Sequence, residues 1–495
     1  MAILPQAAFQ FCGPTNPVIS PRIDAQDSIN LFPETELPNS KGQIALIGAP
    51  GYSTAYAVLT AGGPVRGIWS NNGRMFAVGA NHLYEVAPFT GLIVTDYGAM
   101  GAAPFLPYYC QIVQNGNGQV VCMDSSNTSL YYADPGGPVM TKVLNATAVE
   151  YADGFFVAIA TGASLATVSP NQINVSAPLD AATWPALAYA VRTSASDLIT
   201  NLAYINKVLW VFGQKTTSLW QNVGAPNFPF QEIPGGQINV GLWAPGTLCK
   251  VRDKAYFLGT DQNGYGRVYR TAGVGVEPIS TPAIEYIINT AGAGASTRAF
   301  WYEESGHTFY CIQGLGASAY TLCYDEATNM WHRRAFNNAG TLQDMTVGFA
   351  CAVNSTQGVG TGTAGLMFVG DVNNGNIYKF GCSYASDAGT AKVYQRAAPY
   401  LSSENRWNKF NFLEIDSAAM SAGIVIDHSD DGGSTWNGSR TLTAQPAPAT
   451  GGLQRYFGWQ WGRSRARIFR ATITSSADLV RLAGAYVGVV PGTEK

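Results

Sequence analysis

The sequence predicts an all-β protein made of a β-propeller and a β-sandwich. Residues 206–222 (NKVLWVFGQKTTSLWQN) place an apolar run, a polar turn and a second extended run in succession, which is typical of a β-hairpin. The same pattern returns at intervals of roughly 40–55 residues, which is the period of propeller blades. The 55 Gly and 26 Pro leave few stretches long enough for helices.

Length and charge restrict the class of protein. A chain of 495 residues is too long for one ordinary core, so we expect several domains. Only 12% of the residues are charged and the formal net charge is −3. A dedicated nucleic-acid binder shows a basic field, which this composition does not provide. A protein that DNA only slides past would not need such a field.

The composition also gives no sign of a cofactor. The eight cysteines include no C-x-x-C pair, which favours free buried thiols over disulfides. The four histidines show no metal-ligand spacing, so we expect neither a metal nor a cofactor. The N-terminus (MAILPQAAFQFCGP) has no cationic start, and no apolar run is long enough to span a bilayer. We therefore expect synthesis in the cytosol without a membrane-spanning segment.

Three regions are predicted along the chain. Residues 1–62 form an arm rich in Pro, Asn, Ser and Gly, with a short strand at 28–34 that a proline ends. Residues 63–396 contain the repeats. After about residue 397 the pattern changes to longer alternating strands, which predicts a separate β-sandwich over 397–495. Because chain termini often lie close together, we expect the arm to complete this sandwich.

Seven repeat-like units lie in the middle region. A single unit cannot bury both faces of its sheet, so neighbouring units must stack, and radial stacking predicts six or seven blades. The units centre on residues 65–84, 115–131, 153–159, 206–222, 255–269, 305–324 and 366–378. The segment 282–289 (PAIEYIIN) is the best candidate for a short helix, although its apolar positions fit either period.

One turn motif lies in the C-terminal region. The octapeptide SDDGGSTW at 429–436 resembles the Asp-box of sialidases and other propellers through Ser429, Asp431, Gly433 and Trp436. The Asp side chain of such a motif accepts hydrogen bonds from turn amides, and the Trp packs beneath the hairpin. We interpret the motif as a structural turn, because no arginine cluster with a nucleophilic Tyr and its carboxylate is evident.

Other motifs have structural interpretations. The G-x-G-x-x-G pattern at 360–365 is followed by a strand, whereas a dinucleotide site needs a helix there, so we predict a loop. Carboxylates near turns could pair for glycoside hydrolysis, but capping of turns is their usual role. They are Asp124, Asp153, Asp261, Asp325 and Asp371. We interpret His307 as structural and expect no catalytic residue and no enzymatic activity.

A basic cluster lies near the C-terminus, at Arg455, Arg463, Arg465 and Arg467. Alternation in RSRAR at 463–467 predicts three arginines on one face of a strand. That face is either solvated or a docking surface for an acidic partner, since arginine suits bidentate pairing with carboxylates. If Arg465→Glu left assembly with partners unchanged, docking would be disfavoured.

Eleven short segments along the chain follow one another in a characteristic order. The segments are DAQ at 24–26, INLFPE at 29–34, GGPVRGIW at 62–69, LWVFG at 209–213, KTT at 215–217, NFPF at 227–230, ISTPAIEY at 279–286, YD at 324–325, WH at 331–332, GDVNNGNIY at 370–378 and GRSR at 462–465. Each segment is modestly specific, but in this shared order nearly the whole chain, from about residue 20 to 487, resembles a tail-tube family of short-tailed bacteriophages, the packaged-DNA stabilisation, tail hub or nozzle proteins. The sequence departs from the family in the Gly/Ala/Ser-rich loop at 358–365.

The resemblance implies a homohexameric tube in the virion, below the portal and adaptor rings. Double-stranded DNA would leave through its lumen without sequence-specific binding, and tail fibres or tailspikes would attach outside. It implies no catalytic residues. A weakly acidic wall would let DNA pass, since each cationic contact with phosphate adds binding, and a strongly basic bore would count against this expectation.

A second hypothesis is a glycan-binding or glycan-cleaving propeller of a phage tail. A nozzle should form a sixfold ring visible by negative stain and should lack sugar-cleaving activity. A glycan enzyme should present a pocket with paired carboxylates and release reducing ends.

Overall fold

The structure is a computed structural model that describes residues 6–16, 26–35, 44–101, 109–161, 169, 171–316, 318–353, 365–402, 406–446 and 452–491. Strands dominate these residues, and one α-helix occurs among them. The all-β prediction is therefore confirmed. Residues 24–25 of the resembling segments, the loop at 358–364 and most of the G-x-G-x-x-G pattern lie outside the described residues.

The N-terminal arm does not form a unit of its own, and its strands join the sheets of both later regions. The strands are β1 (Gln6–Phe9), β2 (Asp27–Ile29), β3 (Leu31–Thr35), β4 (Ile44–Gly48), β5 (Gly51–Tyr52) and β6 (Ala57–Val58).

The next strands form four antiparallel blades. Blade 1 contains β7 (Val65–Asn71), β8 (Arg74–Gly79), β9 (His82–Val86) and β10 (Ile93–Ala99). Blades 2 and 3 share one long strand and contain β11 (Cys110–Gln114), β12 (Val120–Asp124), β13 (Ser129–Ala133), β14 (Thr141–Ala152), β15 (Phe155–Ala160), β16 (Gln172–Val175) and β17 (Tyr189–Val191). Blade 4 contains β18 (Ile199–Ile205), β19 (Val208–Gly213), β20 (Thr217–Asn222) and β21 (Phe230–Ile238).

Three further blades follow. Blade 5 contains β22 (Val240–Leu242), a 3-10 turn (Pro245–Thr247), β23 (Cys249–Val251), β24 (Lys254–Asp261), β25 (Gly266–Ala272) and β26 (Gly275–Pro278). The helix α1 (Pro282–Ala291) comes next and confirms the predicted helix. Blade 6 contains β27 (Arg298–Glu304), β28 (His307–Gln313), β29 (Thr321–Asp325) and β30 (Met330–Arg334), and the hairpin β31 (Phe336–Asn338) and β32 (Thr341–Gln343) follows it. Blade 7 contains β33 (Val347–Val353), β34 (Leu366–Asp371) and β35 (Asn376–Gly381).

The arm closes the ring. Strands β5 and β6 pair antiparallel with β35, with Tyr52 opposite Phe380 and Ala57 opposite Ile377, and so supply the outer strand of blade 7. The inner strand β33 lies against both β27 and β7, so the last blade meets the first. The described residues thus form seven blades, one for each predicted repeat unit.

Each pair of neighbouring blades encloses its own hydrophobic cluster. The strand β19 shows how the sequence produces this, because successive side chains point to opposite faces of a sheet. Leu209 and Val211 pack against blade 3, whereas Trp210 and Phe212 pack against blade 5. Phe212 lies 5.1 Å from Phe257, ring centroid to ring centroid. Continuous apolar runs therefore mark blades that are buried on both faces.

Carboxylates brace the turns of the propeller. Asp124, Asp261, Asp325 and Asp371 each accept a hydrogen bond from the backbone N–H two residues later, at 2.8–3.0 Å. This geometry is the Asx-turn, which confirms the capping interpretation for these four residues. All eight cysteines are unpaired, as expected from their apolar surroundings.

The remaining strands form the sandwich. They are β36 (Ser386–Asp387), β37 (Thr390–Ala397), β38 (Leu401–Ser402), β39 (Asn408–Ser417), β40 (Val425–Ser429), β41 (Asn437–Thr441), β42 (Thr443–Ala444), β43 (Gln454–Ser464), β44 (Ala466–Ser475) and β45 (Arg481–Pro491). The first sheet has the order β3-β4-β45-β39-β43-β42, and β1 also pairs with β45. In the second sheet β44 pairs with β37, β38 and β40, and β40 pairs with β41.

Side chains from both sheets meet in one core. Leu413 and Leu482 come from the first sheet and Tyr394 and Phe469 from the second. Leu46, from the arm, lies in the same core, so the predicted completion of the sandwich by the arm is confirmed. Strand β37 pairs with β44 from Lys392 to Ala397.

A single strand of the arm links the sandwich to the propeller. Ile29 in β2 pairs parallel with Arg333 of blade 6 and antiparallel with Gln395 of β37. The next residue, Asn30, has a φ of 56° and donates from Nδ2 to the carbonyls of Ala335 and Val393 at 2.9 Å each. The two sheets are thereby hydrogen-bonded into one.

Buried cations hold the turn between β4 and β5. Lys392 donates from Nζ to the carbonyls of Ala49 and Pro50 at 2.5 and 2.8 Å, and Arg334 donates to Pro50 as well. Burial lowers the pKa of Lys392 to about 8, although Asp387 lies 3.8 Å away. These contacts fix the segment that closes blade 7.

The junction should make the protein sensitive to acid. His332 is fully buried beside Phe309, and neither ring nitrogen has a hydrogen-bond partner among the described residues. Burial, together with the nearby charges of Arg334 and His307, lowers the pKa of His332 from 6.5 to about 3. Between those pH values the unfolded chain binds a proton that the folded protein excludes. The contribution of the neutral His332 to the free energy of unfolding is therefore fully present above pH 6.5, and it is lost as the pH falls towards 3.

We expect His332→Phe to remove most of this loss. The measurement is the denaturant midpoint of both proteins between pH 7.5 and about 4. Phe309→Leu is the control, since it changes the packing beside His332 without removing the imidazole and should keep the slope of the wild type. An equal slope for wild type and His332→Phe would contradict the prediction.

Candidate docking surface

The outer face of the first sandwich sheet carries an ordered set of side chains. In β39, Phe410, Leu413 and Ile415 face the core, and an irregularity in register lies between residues 410 and 412. Side chains of β39 that alternate with these core residues therefore point outward, and they lie beside the outward-pointing side chains of the paired residues in β43. We call this set the outer sheet face, and it consists of Lys409, Phe412, Glu414, Asp416, Arg455, Phe457, Trp459 and Arg463.

Three aromatic rings form the middle of the outer sheet face. Trp459 is 60% exposed, and its ring centroid lies 5.5 Å from Phe412 and 6.0 Å from Phe457. Phe412 lies flat because Gly488 is beneath it, where a Cβ would come within 2.3 Å of the ring. The stacked neighbours fix the orientation of an exposed tryptophan, so little conformational entropy is lost when a partner covers it.

One end of the outer sheet face is basic and uncompensated. Lys409 and Arg463 are opposite each other in register and both are exposed. Arg465 lies 5.4 Å above the ring of Trp407, which is 52% exposed. Neither Lys409, Arg463 nor Arg465 forms an ion pair within the described ranges. Positive charge and exposed tryptophan therefore lie side by side.

The other end is charge-compensated. Arg455 is exposed, but its Nε lies 3.4 Å from Oε1 of Glu414 and 4.0 Å from Oδ1 of Asp416. Both carboxylates are nearly buried. Arg455 therefore differs from Arg463, although the sequence placed them in one cluster.

The predicted single face of arginines is wrong. Strand β43 ends at Ser464, whose hydroxyl donates to the carbonyl of Ala466 at 2.7 Å and bends the chain at Arg465. The next arginine, Arg467, belongs to the second sheet and is 3% exposed. It pairs with Asp430 through two hydrogen bonds of 2.7 and 2.6 Å. Arg467 therefore supports the sandwich from within and is not available to a partner.

The Asp-box-like residues lie at the hairpin between β40 and β41. Ser429 donates to Asp431 at 2.7 Å and accepts from the N–H of Gly433 at 2.8 Å. Hydrogen bonds from Thr435 hold the pKa of Asp431 well below its usual range. The ring of Trp436 lies 3.9 Å from the guanidinium carbon of Arg470. The role of this motif as a structural turn stays a prediction.

The axis of the propeller is bridged by side chains. Gln111 of blade 2 donates from Nε2 to Oδ1 of Asn201 in blade 4 at 2.8 Å. Asn201 in turn donates to the carbonyl of Pro245 in blade 5 at 3.0 Å. A cavity of about 310 Å³ lies at one end of this axis. Its lining residues are uncharged, and none of those that the structure describes is an Asp or a Glu.

Two kinds of feature are absent from the part of the chain that the structure describes. No helix in the described ranges is long and apolar enough to cross a membrane. No group of three or more potential metal ligands occurs within the residues that the structure describes.

The fold and this surface define a class of protein: a seven-bladed propeller joined to a β-sandwich that exposes an aromatic and basic face. The chain belongs to the family of the bacteriophage P22 Gp10 β-propeller, whose model, Phage_stabilise, matches residues 26–345. This is a family of phage tail proteins that stabilise packaged DNA, and the resemblance seen in the sequence is confirmed.

Solved structures show weaker likeness. The chain is similar to a catalytically inactive virginiamycin B lyase from Staphylococcus aureus with quinupristin, at 12% identity over 65% of this chain and 97% of that one, with a TM-score of 0.41. It is also similar to the WD40 domain of Pan2 from Neurospora crassa, at 10% identity over 64% and 89%, with a TM-score of 0.38. Likenesses at this level carry no argument about function. No curated protein matches the chain.

Proposed function

We propose that the chain is the subunit of a homohexameric tail nozzle, or hub, below the portal and adaptor. In this proposal the ring forms the DNA exit channel, helps to retain packaged DNA and anchors tail fibres or tailspikes, after assembly in the host cytoplasm. The observation that carries the proposal is membership of the phage tail family over residues 26–345. Genomic DNA passes through without sequence-specific binding.

The geometry of the propeller axis supports a ring of subunits. The hydrogen bonds from Gln111 to Asn201 and from Asn201 to Pro245 cross between blades 2, 4 and 5. A duplex cannot thread a channel that side chains bridge in this way. In this proposal DNA therefore passes between several subunits that surround a common bore.

Charge supports a division of surfaces. The chain as a whole is weakly acidic, and we expect the wall of the bore to share that character so that phosphates are not retained. The outer sheet face is basic and aromatic, and tryptophan and arginine are enriched at the centres of protein interfaces. We assign this face to an acidic partner protein, such as the adaptor, rather than to DNA.

The proposal includes no enzymatic activity. Asp124, Asp261, Asp325 and Asp371 accept hydrogen bonds from turn amides. The axial cavity is lined by hydroxyls and apolar groups, including Thr128, Thr147 and Tyr109. Because glycoside cleavage needs paired carboxylates, this uncharged lining is compatible with the second candidate only as a propeller that binds glycans without cleaving them.

Electron micrographs of the purified protein should show sixfold rings. We further expect Trp459→Ala, and separately the pair Lys409→Glu and Arg463→Glu, to weaken binding of the ring to the adaptor, with a loss of about 2 kcal/mol or more for Trp459→Ala. The measurement is the dissociation constant for the adaptor at two salt concentrations, because the charge variants should also reduce its salt dependence.

Matched controls separate docking from folding. Tyr286→Ala removes an exposed ring from α1, and Lys142→Glu reverses an exposed charge on blade 2. Both should leave binding unchanged. Monomers in the micrographs would reject the nozzle, and intact adaptor binding by Trp459→Ala would reject the assignment of the face. Saturable glycan binding by a monomer would favour the second candidate.

A further inference from the structure

A cleft of about 520 Å³ lies where the sandwich meets blades 6 and 7. We call it the junction cleft. Its sandwich side includes Glu34, Ile47, Leu453 and Arg481, and its propeller side includes His307 and Cys382. Clefts of this size between domains are common binding sites. Neither the outer sheet face nor the axial cavity shares these residues.

The register of the first sheet places two charges on the floor of the junction cleft. Glu34 is opposite Ala45, and Ile47 is opposite Arg481, so Glu34, Ile47 and Arg481 share the face of the sheet that turns away from its core. Phe32, on that same face, packs against Phe309 of blade 6 at 5.0 Å, so the propeller covers this end of the sheet. Apolar surface therefore separates an acid from a base.

The two charges do not pair with each other in the part of the chain that the structure describes. Strand spacing and rise put the Cα atoms of Glu34 and Arg481 roughly 12 Å apart. Neither side chain makes an ion pair or a side-chain hydrogen bond within the described ranges. Opposite charges that face one partly apolar cleft without neutralising each other are complementary to a ligand that carries both charges.

His307 adds a fixed polar group on the propeller side. Its Nδ1 lies 2.8 Å from Oδ2 of Asp325, and its ring stacks on Phe309 at 5.7 Å. These contacts fix the ring orientation. The other nitrogen, Nε2, has no hydrogen-bond partner among the described residues, and so it is available to a ligand.

We propose that the junction cleft binds a short extended peptide segment of a partner protein, with a basic, an apolar and an acidic side chain at alternate positions. In an extended strand, residues i and i+4 face the same side and lie roughly 13 Å apart, which matches the separation of the two charges. The basic side chain pairs with Glu34, the acidic one with Arg481, and the apolar one packs on Ile47 and Leu453. This proposal does not depend on formation of a ring.

The test uses the full chain and a fluorescent peptide, acetyl-Lys-Gly-Leu-Gly-Asp-amide, followed by anisotropy. Saturable binding is expected, and Arg481→Glu and Glu34→Lys should each raise the dissociation constant about tenfold or more. A second peptide, with Asp in place of Lys, should bind Glu34→Lys more tightly than it binds wild type. This exchange of preference cannot arise from unfolding.

Lys142→Glu is the matched control, since it reverses an exposed charge of blade 2 outside the junction cleft and should leave the dissociation constant within twofold. Free 6-aminohexanoate carries the same two charges without a peptide backbone. Equal affinity for that compound would overturn the assignment to a peptide. Absence of saturable binding at about 1 mM peptide, or unchanged binding by Arg481→Glu, would overturn the site itself.

Discussion

Arg66→Met is expected to lower the free energy of unfolding by about 3–5 kcal/mol. Arg66 is in blade 1, and its guanidinium pairs with Asp124 of blade 2. Both side chains are 1% exposed, and Arg66 also donates to the carbonyl of Ala80 at 3.0 Å. Methionine preserves much of the volume but leaves the Asp124 carboxylate buried without its cation. An unpaired buried charge is among the most destabilising changes known in proteins.

Denaturant midpoints of the wild type and the variant measure this effect. Arg252→Met is the control, because Arg252 and Glu303 form an exposed pair of the same kind, and its loss should change stability by less than about 1 kcal/mol. Adding Asp124→Asn to Arg66→Met should recover part of the loss, since it removes the stranded charge. Equal effects of Arg66→Met and Arg252→Met would show that the buried pair does not join the blades.

Arg396→Met is expected to release the N-terminal arm, with a similar loss of about 3–5 kcal/mol. The guanidinium is fully buried and donates to the carbonyls of Phe11 and Pro14 and to Ser28 Oγ and Gln26 Oε1. No apolar side chain can satisfy these acceptors. Amide hydrogen exchange in residues 9–16 and 26–29 should become at least about tenfold faster, because local opening there no longer breaks the guanidinium contacts.

Exchange in blades 2–4 serves as the internal reference and should not change. Arg470→Met serves as the variant control, because Arg470 is 23% exposed and pairs with Asp427 in the same sheet, and its side-chain hydrogen bonds within the described ranges do not reach the arm. If protection of residues 9–16 survived in Arg396→Met, the arm would be held by its strand pairing alone.

Much of the propeller could be predicted because its signals are local. Alternation in β19 sends Leu209 and Trp210 into different inter-blade clusters, so a short apolar run identifies a blade without knowledge of its neighbours. The helix α1 could also be predicted, because its boundary residues are local signals: Thr281 is the N-cap, Pro282 is the first helical residue and Gly292 is the C-cap.

Features that depend on distant pairing could not be predicted. Strands β5 and β6 have two residues each, too few for any periodicity, and only their pairing with β35 reveals that they complete blade 7. The bend at Arg465 depends on a hydroxyl contact of Ser464, and simple alternation therefore misplaced Arg467. The domain boundaries of the sequence analysis remain predictions for the same reason.

The outer sheet face was only partly visible in the sequence. The run WQWGRSR at 459–465 shows tryptophan and arginine together, but the irregular register of β39 decides that Trp459 is exposed while Trp461 is buried. Lys409, Phe412 and Phe457 joined the surface only through that register. Exposed aromatic residues beside unpaired cations can be recognised only once the pairing of β39 with β43 is known.

The contacts between Lys392 and Ala49 join positions 343 residues apart. While the ribosome makes the chain, the segment that closes blade 7 and the arm strands of the sandwich must wait without partners until nearly everything else has been synthesised. Open sheet edges invite association between nascent chains, so the slow step of production should be the return of the C-terminal region to the arm. Truncation of the N-terminal arm would remove both the strands that close blade 7 and three strands of the first sandwich sheet, β1, β3 and β4, and such fragments should accumulate as aggregates.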